Sequence, residues 1–314
     1  MTIHHLAGKL RTALASRWMK AVQVAVTLLL VGWILSSVDR EVWNSLSSTP
    51  LLLLCICITI FASAQLFGGF RLFLLTPGLS WRQAVLTTWV GYFWSNFLPG
   101  SVGGDVVRAF KLRNAGIPLS TAAGALVVDR LFNLGSVSML VAVSTLPLSL
   151  RLVSATELEW LAALLGGAVV AAVALLFRFR GRLVGVLARG AAPALALIAK
   201  PQLALGALLL SFANVGVSIL AQWLLARHMG IPVSYMELAG IAGLITLIVM
   251  LPISLNGLGL QEASYIAVLV SMGVPNEKAI AFSLLSRFLI LAASVIAGLV
   301  LLVDQTMRSP SRAI

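Results

Sequence analysis

Two acids and two arginines fall where an apolar chain has least use for them. Asp105, Arg130, Glu262 and Arg287 interrupt segments otherwise dominated by leucine, valine and alanine. A guanidinium held away from bulk water binds phosphate through its fork of N–H donors, and a neighbouring carboxylate orients that fork or carries a proton. Arg130 lies about eleven residues into its apolar segment, ~16 Å along a helix axis, and Arg287 reaches a matching depth. A charge at mid-membrane costs several kcal/mol, so both arginines are expected to face a bundle interior or wet cavity and to be paired. Asp105, Asp129 and Glu262 are the expected partners, with Asp105 and Glu262 sharing one polar centre with Arg130 and Arg287.

Glycines and prolines precede both acids. Pro99, Gly100, Gly103 and Gly104 lead into Asp105, and Pro252, Gly257 and Gly259 lead into Glu262. Such glycines permit tight turns and close approach of other groups, but irregular backbone at membrane depth is tolerated only against protein or water. The helix starting near Asp105 presents free N–H groups that suit phosphate. Asp105 is either the cap of that helix or an anion that an arginine must neutralise before phosphate can approach. Asn96 and Gln65 lie inside apolar segments as interhelical hydrogen-bonding groups. Trp43, Trp81, Trp89, Tyr92 and Trp94 read as interfacial or packing aromatics.

The elements that carry these residues are membrane spans. The 314 residues are 60% hydrophobic and 10% charged, with mean hydropathy +1.03, against roughly 25% charged residues in soluble domains. Lys and Arg give a net charge of +12 but gather at the ends of apolar runs, the pattern of membrane orientation rather than nucleic-acid binding. Cys55 and Cys57 sit in an apolar stretch, and His4, His5 and His228 lack carboxylate or cysteine company. No hydrolase triad, P-loop or dinucleotide motif is present. No catalytic residue, metal or cofactor is therefore expected, and the chain does not read as an enzyme. The basic N-terminus before Ala21 reads as an uncleaved first helix, because it lacks a small-residue cleavage site.

Six stretches are long enough to cross ~30 Å of hydrocarbon: about 20–38, 50–70, 119–146, 158–177, 202–226 and 278–303. Residues 83–98 and 236–251 form only ~24 Å arms. Each ends in Leu-Pro and is followed by a glycine turn and a second short arm, roughly 105–113 and 258–271. Read as re-entrant hairpins, these pairs place both termini and most of the Lys and Arg, Arg71 and Arg108 included, on one side, the cytoplasmic one. The basic stretch 178–200 is either an interfacial segment on anionic lipid or an ordinary solvated loop.

A shift of 157 residues lays Gly100 on Gly257, Asp105 on Glu262, Gly116 on Gly273, Pro118 on Pro275 and Arg130 on Arg287. The fold class expected is all-α: one polytopic membrane domain over 1–314, with internal repeats 1–157 and 158–314. Each repeat holds three spans and one hairpin, so the halves are inverted, a transporter architecture.

The segments "NFLPGSVGGDVVRAFKLRNAGIPLSTAAGALVVDRL" and "LPISLNGLGLQEASYIAVLVSMGVPNEKAIAFSLLSRF" resemble the two signature segments of the lysylphosphatidylglycerol synthase transmembrane, or flippase-like, family of bacterial and archaeal membrane proteins. The resemblance covers nearly the whole chain. It implies a membrane domain that moves lipids between leaflets, with Asp105, Arg108, Arg130, Glu262 and Arg287 as functional positions. The aminoacyl-transferase domain that follows in the synthases has no counterpart before the end at "DQTMRSPSRAI", so lysyl-lipid synthesis is not expected. Family relatives occur beside glycosyltransferases and in polyprenyl-lipid or hopanoid pathways.

The expectation from sequence is a flippase or scramblase of the bacterial cytoplasmic membrane, both termini cytoplasmic, passing a phosphate-bearing lipid through a hydrated groove. Its partners would be the lipid and an envelope-biosynthesis enzyme. The competing expectation is a non-transporting scaffold subunit for such an enzyme.

Overall fold

Long apolar helices build this protein because a chain in hydrocarbon must satisfy its backbone N–H and C=O groups internally. A computed structural model describes residues 24–96, 103–152, 200–250 and 254–308 and, within 153–199, only positions 192 and 196. The expected span 158–177, nearly all of the basic stretch 178–200, and the turn residues Pro99, Gly100 and Pro252 lie outside the described residues. All regular structure among the described residues is helical.

We number the helices in chain order. Helix α1 covers Val24–Ser36, α2 Arg40–Ser47, α3 Leu51–Leu75, α4 Trp81–Ser95, α5 Gly103–Asn114 and α6 Leu119–Leu152. After the undescribed stretch come α7 (Pro201–His228), α8 (Tyr235–Val249), a short 3-10 turn at Leu255–Gly257, α9 (Leu260–Ser271) and α10 (Asn276–Arg308). Four of these are long and apolar enough to cross a membrane, over Leu51–Leu75, Leu119–Ser144, Pro201–His228 and Asn276–Leu302.

The two pairs of short helices share their dimensions. Helices α4 and α8 each run 15 residues, and α5 and α9 each run 12. Both first arms start with a capping box, in which the cap serine accepts from the third residue's N–H while that residue's side chain accepts from the serine's N–H. Ser80 and Gln83 make one box, Ser234 and Glu237 the other. These boxes are 154 residues apart, whereas α5 and α9 start 157 apart. A single shift of 157 thus misaligns the first arms, because the connection between α8 and α9 is three residues longer than that between α4 and α5.

That longer turn depends on unusual backbone. Gly257 and Gly259 have φ of +71° and +78°, a region L side chains rarely adopt, and Asn256 between the arms has φ +49°. Leu255 N–H donates to Thr27 Oγ1 of α1 at 2.9 Å.

Most of the buried core lies where α3, α7, α8, α9 and α10 meet, around Phe61, Leu225, Ile241, Leu269, Phe282 and Leu289. A second cluster joins α3, α4, α5 and α6 through Leu72, Ala84, Leu112 and Leu126. Helix α3 packs extensively along α7, and α8 packs against α6, so early and late parts of the chain interlock. Large apolar side chains such as Leu28, Leu51, Trp43, Trp81, Val143 and Leu302 point outward, as a lipid-facing surface requires.

Candidate functional site

The first helix pair closes so tightly that its arms share space. A Cβ on Gly104 of α5 would stand 2.4 Å from the Gly91 carbonyl oxygen of α4, and one on Gly91 would stand 2.3 Å from Arg108 Cδ. Only glycine at both positions lets the Arg108 stem lie across α4. Gly91 carried no signal in the sequence reading, because one glycine in an apolar helix looks like packing.

Arg108 then enters an alternating ionic chain. Its Nη1 donates to Asp105 Oδ1 at 3.1 Å and its Nη2 to Asp129 Oδ2 at 3.0 Å. Arg71 of α3 donates through Nε to Asp129 Oδ1 at 2.6 Å and through Nη1 to Ser211 Oγ of α7 at 2.8 Å. At the far end Arg130 Nε donates to Asp105 Oδ2 at 2.5 Å. The order is Arg71, Asp129, Arg108, Asp105, Arg130, and all four carboxylate oxygens accept from arginines. Such charge-assisted bonds offset the desolvation that burial imposes on each ion.

Exposure rises along the chain of ions. The side chains of Arg71 and Asp129 are 6% and 4% exposed, whereas Arg130 is 35% exposed. Arg71 and Arg108 count in the sequence among the charges on the expected cytoplasmic side, and Arg108 also as an expected functional position; both are buried and ion-paired. The sequence could not reveal this, since the partner Asp129 is 58 residues from Arg71.

A cavity of about 170 Å3 opens beside this chain, lined by its five ions together with Gln65, Thr88, Tyr92, Asn133 and Asn214. Arg130, Tyr92, Ser95, Asn133 and Asn214 also line a second cavity of about 390 Å3. The far walls of that second space mix Phe61, Val137, Ile219 and Ile290 with Gln222, Thr246, Gln261 and Tyr265. Arg130 thus stands where a polar chamber meets a larger, partly apolar one.

Glu262 and Arg287 are arranged differently. Arg287 Nε is bonded to Glu262 Oε1, Arg287 Nη2 donates to the Gly257 carbonyl at 2.9 Å, and Glu262 Oε2 accepts from Gly259 N–H at 2.7 Å. Both side chains are buried, and neither lines the two cavities. Their neighbours Gln261 and Tyr265 take the wall positions, with Tyr265 OH donating to Gln222 Oε1 at 2.6 Å. The single polar centre expected for the two acid–arginine pairs is therefore divided: Asp105 and Arg130 face the chamber, and Glu262 and Arg287 clamp the backbone of the second turn. The turns themselves touch, Asn256 Nδ2 donating to Asn96 Oδ1 at 3.3 Å. Asn96 Nδ2 in turn donates to the Tyr92 carbonyl at 2.9 Å.

Comparison with family models matches residues 20–298 to the lysylphosphatidylglycerol synthase TM region, which is most of the chain and includes both helix pairs and every ion described above. The chain belongs to the lysylphosphatidylglycerol synthase TM region family. Comparison with curated proteins and with solved structures gives no match. The lysylphosphatidylglycerol synthase TM region is a membrane domain, and several apolar helices make this chain a multi-pass membrane protein, compatible with a lipid-related role. Within this family region, Gly91, Thr88, Arg71, Asn133, Asn214 and Ser211 are site residues that the sequence reading did not single out. The signal for Arg71 and Asp129 was present as two ionisable residues inside apolar runs; nothing in the linear order joined them.

Proposed function

We infer that the protein moves a phosphate-bearing lipid between leaflets, as a flippase or scramblase, with the head group crossing the polar chamber while acyl chains remain in the bilayer. The observation that carries this reading is the position of Arg130. It is one-third exposed, tethered by Asp105, and shared by the polar chamber and the larger partly apolar cavity. A phosphate arriving from the larger space meets a guanidinium that is already oriented, so little conformational entropy is lost on binding.

The matched lengths of α4 with α8 and α5 with α9 support an architecture of six spans and two re-entrant hairpins arranged as an inverted repeat. We further infer a bacterial cytoplasmic membrane location with both termini inside, and no enzymatic turnover by the chain itself. Flow would be downhill or coupled to an ion.

Reconstitution of the purified protein into liposomes with an acyl-labelled fluorescent phospholipid tests the reading. Transbilayer movement in the wild type, lost in Arg130→Gln, is the expected result. Movement seen only when an envelope-biosynthesis enzyme is added supports a scaffold subunit instead.

A further inference from the structure

We propose that a groove between the first helix pair and α10 holds one resident phospholipid with a net anionic head group, bound apart from any lipid that the protein moves. The shape of the groove, its level in the membrane and its charge carry this together.

A cavity of about 470 Å3 lies between α4, α5 and Leu301 of α10. It shares no lining residue with the chamber at Arg130 or with the larger cavity beside that chamber. Its lining changes character along the helices. At the open end of the pair, where α4 begins and α5 ends, stand Gln83, Thr87, Lys111 and Asn114. Towards the turn the lining is apolar only, with Val90 and Trp94 on α4 and Val107 and Phe110 on α5. Leu86, Val90 and Leu301 form a buried floor against which Val107 packs, while Trp94 and Phe110 are exposed. A polar mouth above an apolar trough matches a ligand with a head and a tail; a free phosphate would leave the trough in contact with nothing it can bind.

Gln83 and Trp94 are eleven residues apart on one helix, a rise of ~16 Å, which is about half of the ~30 Å of hydrocarbon in a bilayer. The groove therefore has the reach of one leaflet's acyl chains. Trp81, two residues before Gln83, is exposed and stacked on Phe70 with ring centroids 6.5 Å apart. Tryptophan gathers at the head-group level of a bilayer, which sets the mouth at the membrane surface.

Charge then selects the head group. Among the described lining residues Lys111 is the one ion, and no carboxylate accompanies it. Asp304, three residues after Leu301, accepts from Arg82 Nη2 at 3.0 Å, so the acid at the rim is matched by its own arginine and ties α4 to α10 across the mouth. A lysine at the level of the lipid phosphates favours a net anionic head over a zwitterionic one.

The test is photocrosslinking of the full-length protein in phosphatidylcholine nanodiscs that contain a small fraction of phosphatidylglycerol with a photoactivatable acyl chain, the adducts being located by mass spectrometry. Adducts at Val90, Trp94 and Phe110 should exceed those at Leu51 and Leu52, exposed apolar residues of α3. The same photoactivatable chain on phosphatidylcholine should label the groove about fivefold less, the worth of one lysine at a membrane surface. Lys111→Gln, with its fold checked by melting temperature, should bring the two probes to equal labelling; the comparison of probes in the wild type stands without the variant. Groove labelling no higher than at Leu51 and Leu52 overturns the site, and a dimer by native mass spectrometry in the same nanodiscs would then give the groove to a second copy of the chain. Equal labelling by the two probes in the wild type, or an unchanged preference in Lys111→Gln, overturns the anionic head group held at Lys111. Labelling needs no transport, so a protein that moves no lipid can pass this test and one that moves lipid can fail it.

Discussion

Asp105 Oδ2 accepts from Arg130 Nε across 25 residues of sequence, and Glu262 is bonded to Arg287 across the same 25. Equal spacing has produced unequal roles. Asp105 also holds Arg108, and its pair faces the chamber. Glu262 instead accepts a turn N–H, and Arg287 donates to a turn carbonyl.

Arg130 and Arg287 should consequently fail in different ways. Arg130→Gln keeps a polar side chain at a partly exposed position, so the protein should fold with nearly wild-type thermal stability in detergent. Its lipid movement should fall about tenfold to a hundredfold, the loss of one charged hydrogen bond. Arg287→Gln leaves Glu262 buried without its cation and should destabilise the fold by ~3–5 kcal/mol. Paired melting and transport measurements check both; equal melting temperatures would count against the clamp.

Asp129 joins two buried guanidiniums, so Asp129→Asn leaves Arg71 and Arg108 facing a neutral amide. A loss of ~3–5 kcal/mol is expected, larger than for Asp105→Asn at its more exposed site. Chemical denaturation of the two variants side by side gives the order.

Gly91→Ala places a methyl group where the Arg108 stem now runs. The stem must move or the arms must part, at ~1–3 kcal/mol. Arg108→Ala in the same chain removes the clash, so the double variant should be less destabilised than the two single effects added together. A double-mutant cycle on melting temperature measures this coupling.

Asn114 ends α5 and Ser271 ends α9, and both are exposed. If the two pairs are hairpins of an inverted repeat, cysteines at these positions should react with a membrane-impermeant maleimide from opposite faces, in a background where Cys55 and Cys57 are alanine. Labelling from one face would remove the inverted architecture.

Much was legible in the linear order. Runs of apolar residues fixed the long helices, and the Pro-flanked, glycine-bearing breaks at 99–104 and 252–259 marked where each short pair turns. The cap serines of the first arms, Ser80 and Ser234, stand two or three residues before the expected starts at 83 and 236, a local signal that the sequence reading does not use. Asp105 with Arg130 and Glu262 with Arg287 were readable as acid and base at one spacing.

Tertiary structure decided which of those ions faces the chamber and which clamps a turn. In α3, α6 and α7 apolar residues are spread all round the helix, so the usual clue to which face turns inward is lost. Asp129 and Arg130 are neighbours on one helix, yet they point to different partners, Asp129 to Arg71 and Arg108 and Arg130 to Asp105. Arg71 meets Ser211 across 140 residues, and Arg108 lies across Gly91, contacts that exist only once α3, α4, α5 and α7 are packed. Sequence alone established that the charges are there and must be neutralised, because hydrocarbon tolerates no lone ion. Which partner neutralises each depends on how the helices cross, and that is settled by close packing of side chains far apart in the chain.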